Sequence, residues 1–577
     1  MRADFSDLKA LILVSRAFSS QASRRLFRTL RFWADEDIIN ATPPLGTRLR
    51  DYLHASMPLA FMKFVKVIEF RTPVIRNPYP FDSCHHYTAF LKKFGSPTPK
   101  IVQFFEQFEK NTLRGFVWQL HTCIPDGILS AGSCLVDEQR AIETMSLITF
   151  KCSSEKGKEP YVFTNFRRIH SFSWIGLESL TETKAARDFL KSNRKILESL
   201  ELNFVRWTET EEQWNSHQDY IASVDNVFAK YILPRGSDDL IQEFRSLRRL
   251  SLTEAPLTGA VLEIVSALNI SQLRFLKLDD CADTSKLLHA VATAKTPLML
   301  LSLELTMEDH IEADWTGSAL VRFLNSFEGL EDLHLLINPA CPALTYWQAA
   351  ANHKSTLRNF AYHERIRGNG EFWNEDQYLG SGEYWYSPLC KENRLRILLD
   401  FNLDCLGYCS SSLEFYRYYQ SHHDELKPFT FKLLHIRRSA EQLDRTYPRS
   451  FKDFMAKVAI PLDQDWPPDD HYDFFSCVEW AFESEHFPEL QILAFGDFAH
   501  GGRFSDRSLL FCRETKPNSD FPFRVMQRSG WVEGTGALQT FGLAKHEMVH
   551  FEGIHQPFEF LAACPAEPFI NHRYFDE

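Results

Sequence analysis

The sequence predicts an α/β solenoid, a stack of short parallel strands alternating with helices, and three observations predict it. A six-residue apolar pattern, Leu-x-x-Leu-x-Leu, recurs through the middle of the chain. Its copies start at nearly constant intervals. The stretches between them carry apolar residues at helical spacing.

The pattern appears in full at Leu197…Leu200…Leu202, Leu247…Leu250…Leu252, Leu273…Leu276…Leu278, Leu298…Leu301…Leu303 and Leu330…Leu333…Leu335. Copies with another apolar residue in a leucine slot are Val65…Ile68…Phe70, Leu113…Phe116…Trp118, Leu357…Phe360…Tyr362, Phe431…Leu434…Ile436 and Leu490…Leu493…Phe495. From Leu247 the starts at 247, 273, 298, 330 and 357 lie 26, 25, 32 and 27 residues apart. Leucine-rich repeats have periods of about 20–29 residues, so the chain reads as an irregular leucine-rich-repeat solenoid. The last two apolar residues of each copy lie two apart and share one face of a strand, while the first anchors the turn into it. A lone strand cannot bury that face, so copies stack in parallel on the concave side and helices return along the convex side. Residues 258–268 and 284–294 supply such helices, with Ile264, Val265 and Leu268 in one and Leu287, Leu288 and Val291 in the other.

Composition agrees with one long body. At about 150 residues per domain, 577 residues would suggest four domains, but a repeat array uses the same length as a single core. An apolar fraction of 44%, including 49 phenylalanines, excludes wholesale disorder. A net charge of −12 argues against nucleic acid as the main partner. No run approaches the roughly 18 apolar residues of a spanning helix, so no membrane partner is expected. Twelve scattered cysteines without a Cys-x-x-Cys read as free thiols, and the expected location is cytoplasmic or nuclear. Six arginines within residues 1–32 keep a mitochondrial presequence as an alternative.

Two segments interrupt the array. Residues 367–388 hold four glycines and six aromatics (Phe372, Trp373, Tyr378, Tyr384, Trp385, Tyr386) and read as a long loop. Residues 463–471 form an acidic, proline-broken turn. The organisation expected is therefore a helical segment over 1–32, the solenoid over 33–560 and a tail over 561–577.

Residues 4–32 read as two short amphipathic helices with a solvent-facing arginine cluster. Leu8, Leu11 and Ile12 share one face, and Leu26, Phe27 and Leu30 the other. Asp7-Leu8-Lys9-Ala10, Leu13-Val14-Ser15-Arg16 and Leu26-Phe27-Arg28-Thr29-Leu30 together resemble the second half of an F-box of the fungal type. The Leu-Pro-x-Glu-Leu opening of that family is not among these residues, so the match is incomplete at its N-terminal side. The resemblance implies a substrate receptor of a cullin–RING (SCF-type) ubiquitin ligase. In it Leu8, Leu11, Val14, Leu26 and Phe27 would meet the adaptor that links to the cullin, and the repeat surface would hold a protein substrate. The alternative is a repeat scaffold with a degenerate F-box and no ligase connection.

The strand positions between and after the leucines point away from the helices, and they form the candidate substrate surface. They include Glu201, Asn203, Thr253, Lys277, Asp279, Glu304, His334 and His363, a mixed and mildly acidic strip suited to a protein. No catalytic residue, metal or cofactor is expected. His546-Glu547-Met548-Val549-His550 has the form of a zinc-protease motif, yet its apolar residues alternate as in a strand. The pairs His85-His86 and His422-His423 read as exposed loop histidines.

Overall fold

A computed structural model describes residues 21–25, 27–33, 62–71, 98–120, 124–149, 161–204, 226–234, 243–294, 297–308, 318–338, 341, 343–364, 397–398, 400–408, 429–437, 477–483, 487–496, 498, 509–514, 522–525, 554 and 557–564. These form an α/β protein of two compact units, divided close to residue 274.

The first unit carries β1 (Thr29–Trp33), β2 (Val67–Arg71), β3 (Gly115–Gln119), β4 (Thr144–Ile148), β5 (Ser171–Ile175), β6 (Ser199–Asn203) and β7 (Arg249–Thr253). Each pairs in parallel with the next in chain order. Helices α1 (Thr98–Phe105), α2 (Cys134–Glu138), α3 (Leu180–Asn193), α4 (Val227–Tyr231) and α5 (Val261–Ala267) return between strands. They cover the apolar face: Phe172 of β5 stacks on Phe189 of α3 at 3.9 Å, and Phe70 of β2 meets Phe105 of α1 at 6.4 Å. Helix α3 starts at a capping box, in which the Ser179 hydroxyl accepts from the Glu182 amide and the Glu182 carboxylate accepts from the Ser179 amide. Gly176 leaves β5 at φ +97°, where a Cβ would collide with the Thr149 carbonyl oxygen.

The second unit carries β8 (Phe275–Asp279), α6 (Thr284–Thr293), β9 (Ser302–Glu308), α7 (Ala319–Leu324), β10 (Asp332–Asn338), α8 (Ala343–Ala350) and β11 (Asn359–Glu364). After these come β12 (Cys405–Tyr408), β13 (Leu433–Arg437), β14 (Ile492–Gly496), β15 (Leu509–Arg513), β16 (Phe523–Val525) and α9 (Pro557–Ala562). Strands β8 to β14 are parallel neighbours in order, and β15 and β16 close the ladder antiparallel. Trp347 of α8 packs on Phe360 and Tyr362 of β11, again on the apolar face.

One backbone device repeats at the strand entrances. The carbonyl of the residue after each anchor accepts two amides from the next repeat, as when Arg28 O takes Lys66 N at 2.7 Å and Val67 N at 3.0 Å. Lys66, Arg114, Glu143, His170 and Glu198 continue it in the first unit; Arg274, Leu301, Glu331, Arg358, Asp404 and Lys432 do so in the second. Each turn thereby satisfies buried donors of its neighbour, which is why a repeat cannot stand alone.

Three expectations change. The second N-terminal helix was expected to carry Phe27 and Leu30; residues 21–25 are helical, but Thr29–Trp33 form strand β1, because pairing with β2 outweighs the weak local preference of a short helix. Phe27, Leu30 and Phe32 instead take the anchor and core positions of a first repeat, with Phe32 stacked on Phe70 at 5.0 Å. The copy expected from Leu298 begins at Leu300, since the register sets Leu303 beside Leu276 and Leu333. Leu300 is buried whereas Leu298 and Leu301 are half-buried. A two-residue shift keeps side-chain parity, so Glu304 still faces away from the helices. Helix α9 runs across residue 560, where the solenoid was expected to end and a tail to begin. The loops 367–388 and 463–471 lie outside the described residues.

Candidate functional site

The candidate residues fall on the strand faces opposite the helices, three of them in the first unit and five in the second. In the first unit Val117, Ser146, Ser173, Glu201 and Ser251 form one row across β3–β7, and Ile148, Ile175, Asn203 and Thr253 the next. The Ser173 hydroxyl donates to the Glu201 carboxylate at 2.5 Å, and Gln119 Nε2 donates to Ser146 Oγ at 3.3 Å. Val117, Ile148, Ile175, Ser146, Ser173 and Glu201 are half-buried, while Asn203 and Thr253 are buried at their strand ends. The result is a shallow face of small hydroxyls, aliphatic side chains and one carboxylate. At its edge Glu69 is clamped between Arg31 at 2.6 Å and Arg71 at 2.9 Å.

In the second unit the equivalent row reads Lys277, Glu304, His334, Ala361, Gly407, His435 and Ala494, with Asp279, Thr306, Leu336, His363 and Arg437 beside it. This face is covered by the chain itself. Phe560 and Leu561 of α9 join Ile554, Ala361, Cys405, Leu433, Ile492, Ala494 and Phe498 in one apolar cluster. Phe560 meets the His334 ring edge-on at 5.5 Å, and a Cβ on Gly407 would come within 3.3 Å of it. Glycine and alanine at these rungs leave the room the helix needs. Polar groups fix its end. Arg437 Nη2 donates to the Ala563 carbonyl at 2.8 Å and to the Cys564 carbonyl, capping the last turn with a cation. The Cys564 amide donates to Glu304 Oε1 at 2.9 Å, and its thiol to the Leu305 carbonyl.

Burial sets the charge states beneath α9. For Glu304, burial alone would raise the carboxyl, but Lys277 at 2.8 Å, His334 and the Cys564 amide outweigh it and hold it below the usual range. Burial would lower Lys277, but Glu304 and Asp279 hold it above its ordinary value. Asp279 is raised, because burial exceeds what Lys277 returns. His334 is lowered by burial despite Glu304. His435 is lowered to about 3 by burial and the Arg437 charge, so its neutral ring donates from Nε2 to the Gly496 carbonyl at 2.8 Å. Burial also raises the Cys564 and Cys405 thiols, leaving both protonated and unsuited to nucleophilic work. This is an arrangement for holding peptide, with fixed charges meeting backbone groups.

No protein-family model matches the chain, and no curated protein matches it.

The structure thus sets Lys277, Asp279, Glu304 and His334 side by side on β8–β10, with His334 against Phe560 of α9 and Glu304 against the Cys564 that follows it; His363 lies in the second row, and Glu201, Asn203 and Thr253 belong to the face of the first unit. Of the adaptor-facing set, Leu8, Leu11, Val14 and Leu26 lie outside the described residues, and half-buried Phe27 anchors β1. His546–His550 and the two histidine pairs also lie outside. Among the described residues no group of three or more His, Cys, Asp or Glu could hold a metal ion. No described helix is long and apolar enough to cross a membrane.

Sequence reasoning missed Arg437, Cys564 and Phe560. The signal available was small residues at three of the matching strand positions, Ala361, Gly407 and Ala494, where other copies carry Glu304, Lys277 or His435.

Proposed function

We propose that the chain is a protein-recognition solenoid acting as the substrate receptor of a cullin–RING ubiquitin ligase, with the β3–β7 face of the first unit as its partner surface. The observation that carries the recognition role is that face itself. It offers half-buried Val117, Ile148 and Ile175 beside the Ser173–Glu201 hydrogen bond, the mix of apolar and polar atoms found at protein interfaces. The corresponding face of the second unit is already filled by α9. The ligase role rests on the N-terminal F-box resemblance, which leads directly into β1. The receptor would do no covalent chemistry and would act by raising the substrate's effective concentration near a conjugating enzyme.

Affinity purification of the full chain tests both parts. Adaptor, cullin and a protein partner should be recovered together. The Ser173→Arg/Glu201→Arg double variant should lose the partner by roughly tenfold or more while keeping the adaptor. The second reading, a scaffold with no ligase connection, is favoured by one observation: Phe27 and Leu30 belong to the first repeat and are not part of a separate helix. Recovery of the partner without adaptor would establish it.

A further inference from the structure

A second feature of the first unit lies at the strand entrances, away from the recognition face. Arg28, Lys66 and Arg114 are the residues after three successive anchors, so they occupy one position on consecutive rungs, about 4.8 Å apart. Like charges on adjacent rungs repel. Elsewhere the same position is balanced: Asp404 and Lys432 form an ion pair at 2.7 Å. Two further cations, Arg24 and Lys63, close on the triad, and together with Phe64 they line a cavity of about 780 Å³. Lys63 Nζ sits 5.1 Å above that ring. Among the described residues the cavity wall holds one carboxylate, Glu143, 3.6 Å from Arg114 Nε. Arg114 Nη1 is also held by the Ala141 carbonyl at 3.1 Å, which fixes that guanidinium in place.

Five cations against one carboxylate call for a ligand of several negative charges. The volume is that of a small-molecule site, for which roughly 300–1,000 Å³ is usual. Guanidinium forks match tetrahedral oxyanions through paired donors, and the lysines add compact charge. A long polyanion fits poorly, because the positive run spans three rungs and the whole chain carries −12. We propose that this cavity binds a compact anion bearing two or more phosphate groups, independently of any protein partner.

Inorganic tripolyphosphate is the probe, titrated calorimetrically into the full chain at about 0.15 M salt. One-to-one binding is expected, with a rise in Tm, with affinity falling as salt rises, and with orthophosphate much weaker. Arg24→Gln/Lys63→Gln, both exposed side chains, should weaken binding by roughly tenfold or more without unfolding the protein, and Lys354→Gln on the second unit should not. Vesicles of phosphatidylcholine with a phosphoinositide separate the sources. Capture that tripolyphosphate displaces would make the ligand a lipid headgroup, and absence of capture would make it a soluble compound. No heat and no Tm shift at millimolar tripolyphosphate, or equal binding by the double variant, would overturn the site.

Discussion

Asn193 shows how a single buried side chain joins one repeat to the next. Its amide donates to the Phe166 carbonyl at 2.7 Å and the Phe189 carbonyl at 3.2 Å, while its oxygen accepts the Ile169 amide at 3.3 Å. Gln139 serves the Leu113 amide and the Glu109 carbonyl likewise, and His353 bridges the Leu330 amide and the Leu324 carbonyl. Asn193→Ala would strand the Phe166 carbonyl and the Ile169 amide and should lower the stability of the first unit by about 2–3 kcal/mol, read by urea unfolding. These roles were invisible in the sequence, because each side chain serves carbonyls and amides some 25 residues upstream and no local pattern marks it. His435 adds a pH dependence. Unfolded, it takes a proton near 6.5; folded, it stays neutral until about 3. The unfolded state therefore binds more protons between those values, and stability should fall as pH drops through that window. Stability measured between pH 7 and 4 should slope less in His435→Asn than in the parent.

At the scale of elements, the repeat pattern was legible wherever leucine filled the slots. Helices expected over 258–268 and 284–294 match α5 and α6. Four repeats went unread because other residues occupy the equivalent positions: Phe27/Leu30/Phe32, Ile142/Met145/Leu147, Ile169/Phe172/Trp174 and Leu403/Leu406/Tyr408. The core needs apolar volume of the right shape, and aromatics or methionine supply it as well as leucine does. The slip at Leu298 arose because Leu298, Leu300, Leu301, Leu303 and Leu305 allow two frames, and only pairing with β8 and β10 decides between them. Helix α9 could not be read at all, since six residues of helix gain their stability from the face they cover. Phe560→Ala should therefore cost about 3 kcal/mol and speed hydrogen exchange in β10–β13 while leaving β2–β6 unchanged.

At the scale of the whole molecule, the net charge of −12 conceals a local reversal of sign around Arg28, Lys66 and Arg114. The candidate strip was legible as a row of positions; the covering of its second-unit part by α9 was not. That covering makes a prediction about partner binding. Glu304→Gln and Arg437→Met loosen α9 and should destabilise the second unit by a few kcal/mol, while partner affinity at the first unit stays within roughly twofold. Calorimetric unfolding beside a binding assay checks both.

Covering by α9 also fixes an order of events during synthesis. Every strand beneath it is made before it, and at roughly 5–20 residues per second the ribosome leaves that face bare for seconds. During this interval Lys277, Asp279 and Glu304 remain hydrated, and Ala361, Leu433 and Ile492 are apolar surface within reach of chaperones or of neighbouring nascent chains. The last step in maturing the second unit is then a dehydration: the helix docks, water leaves, and Arg437 exchanges it for two carbonyls.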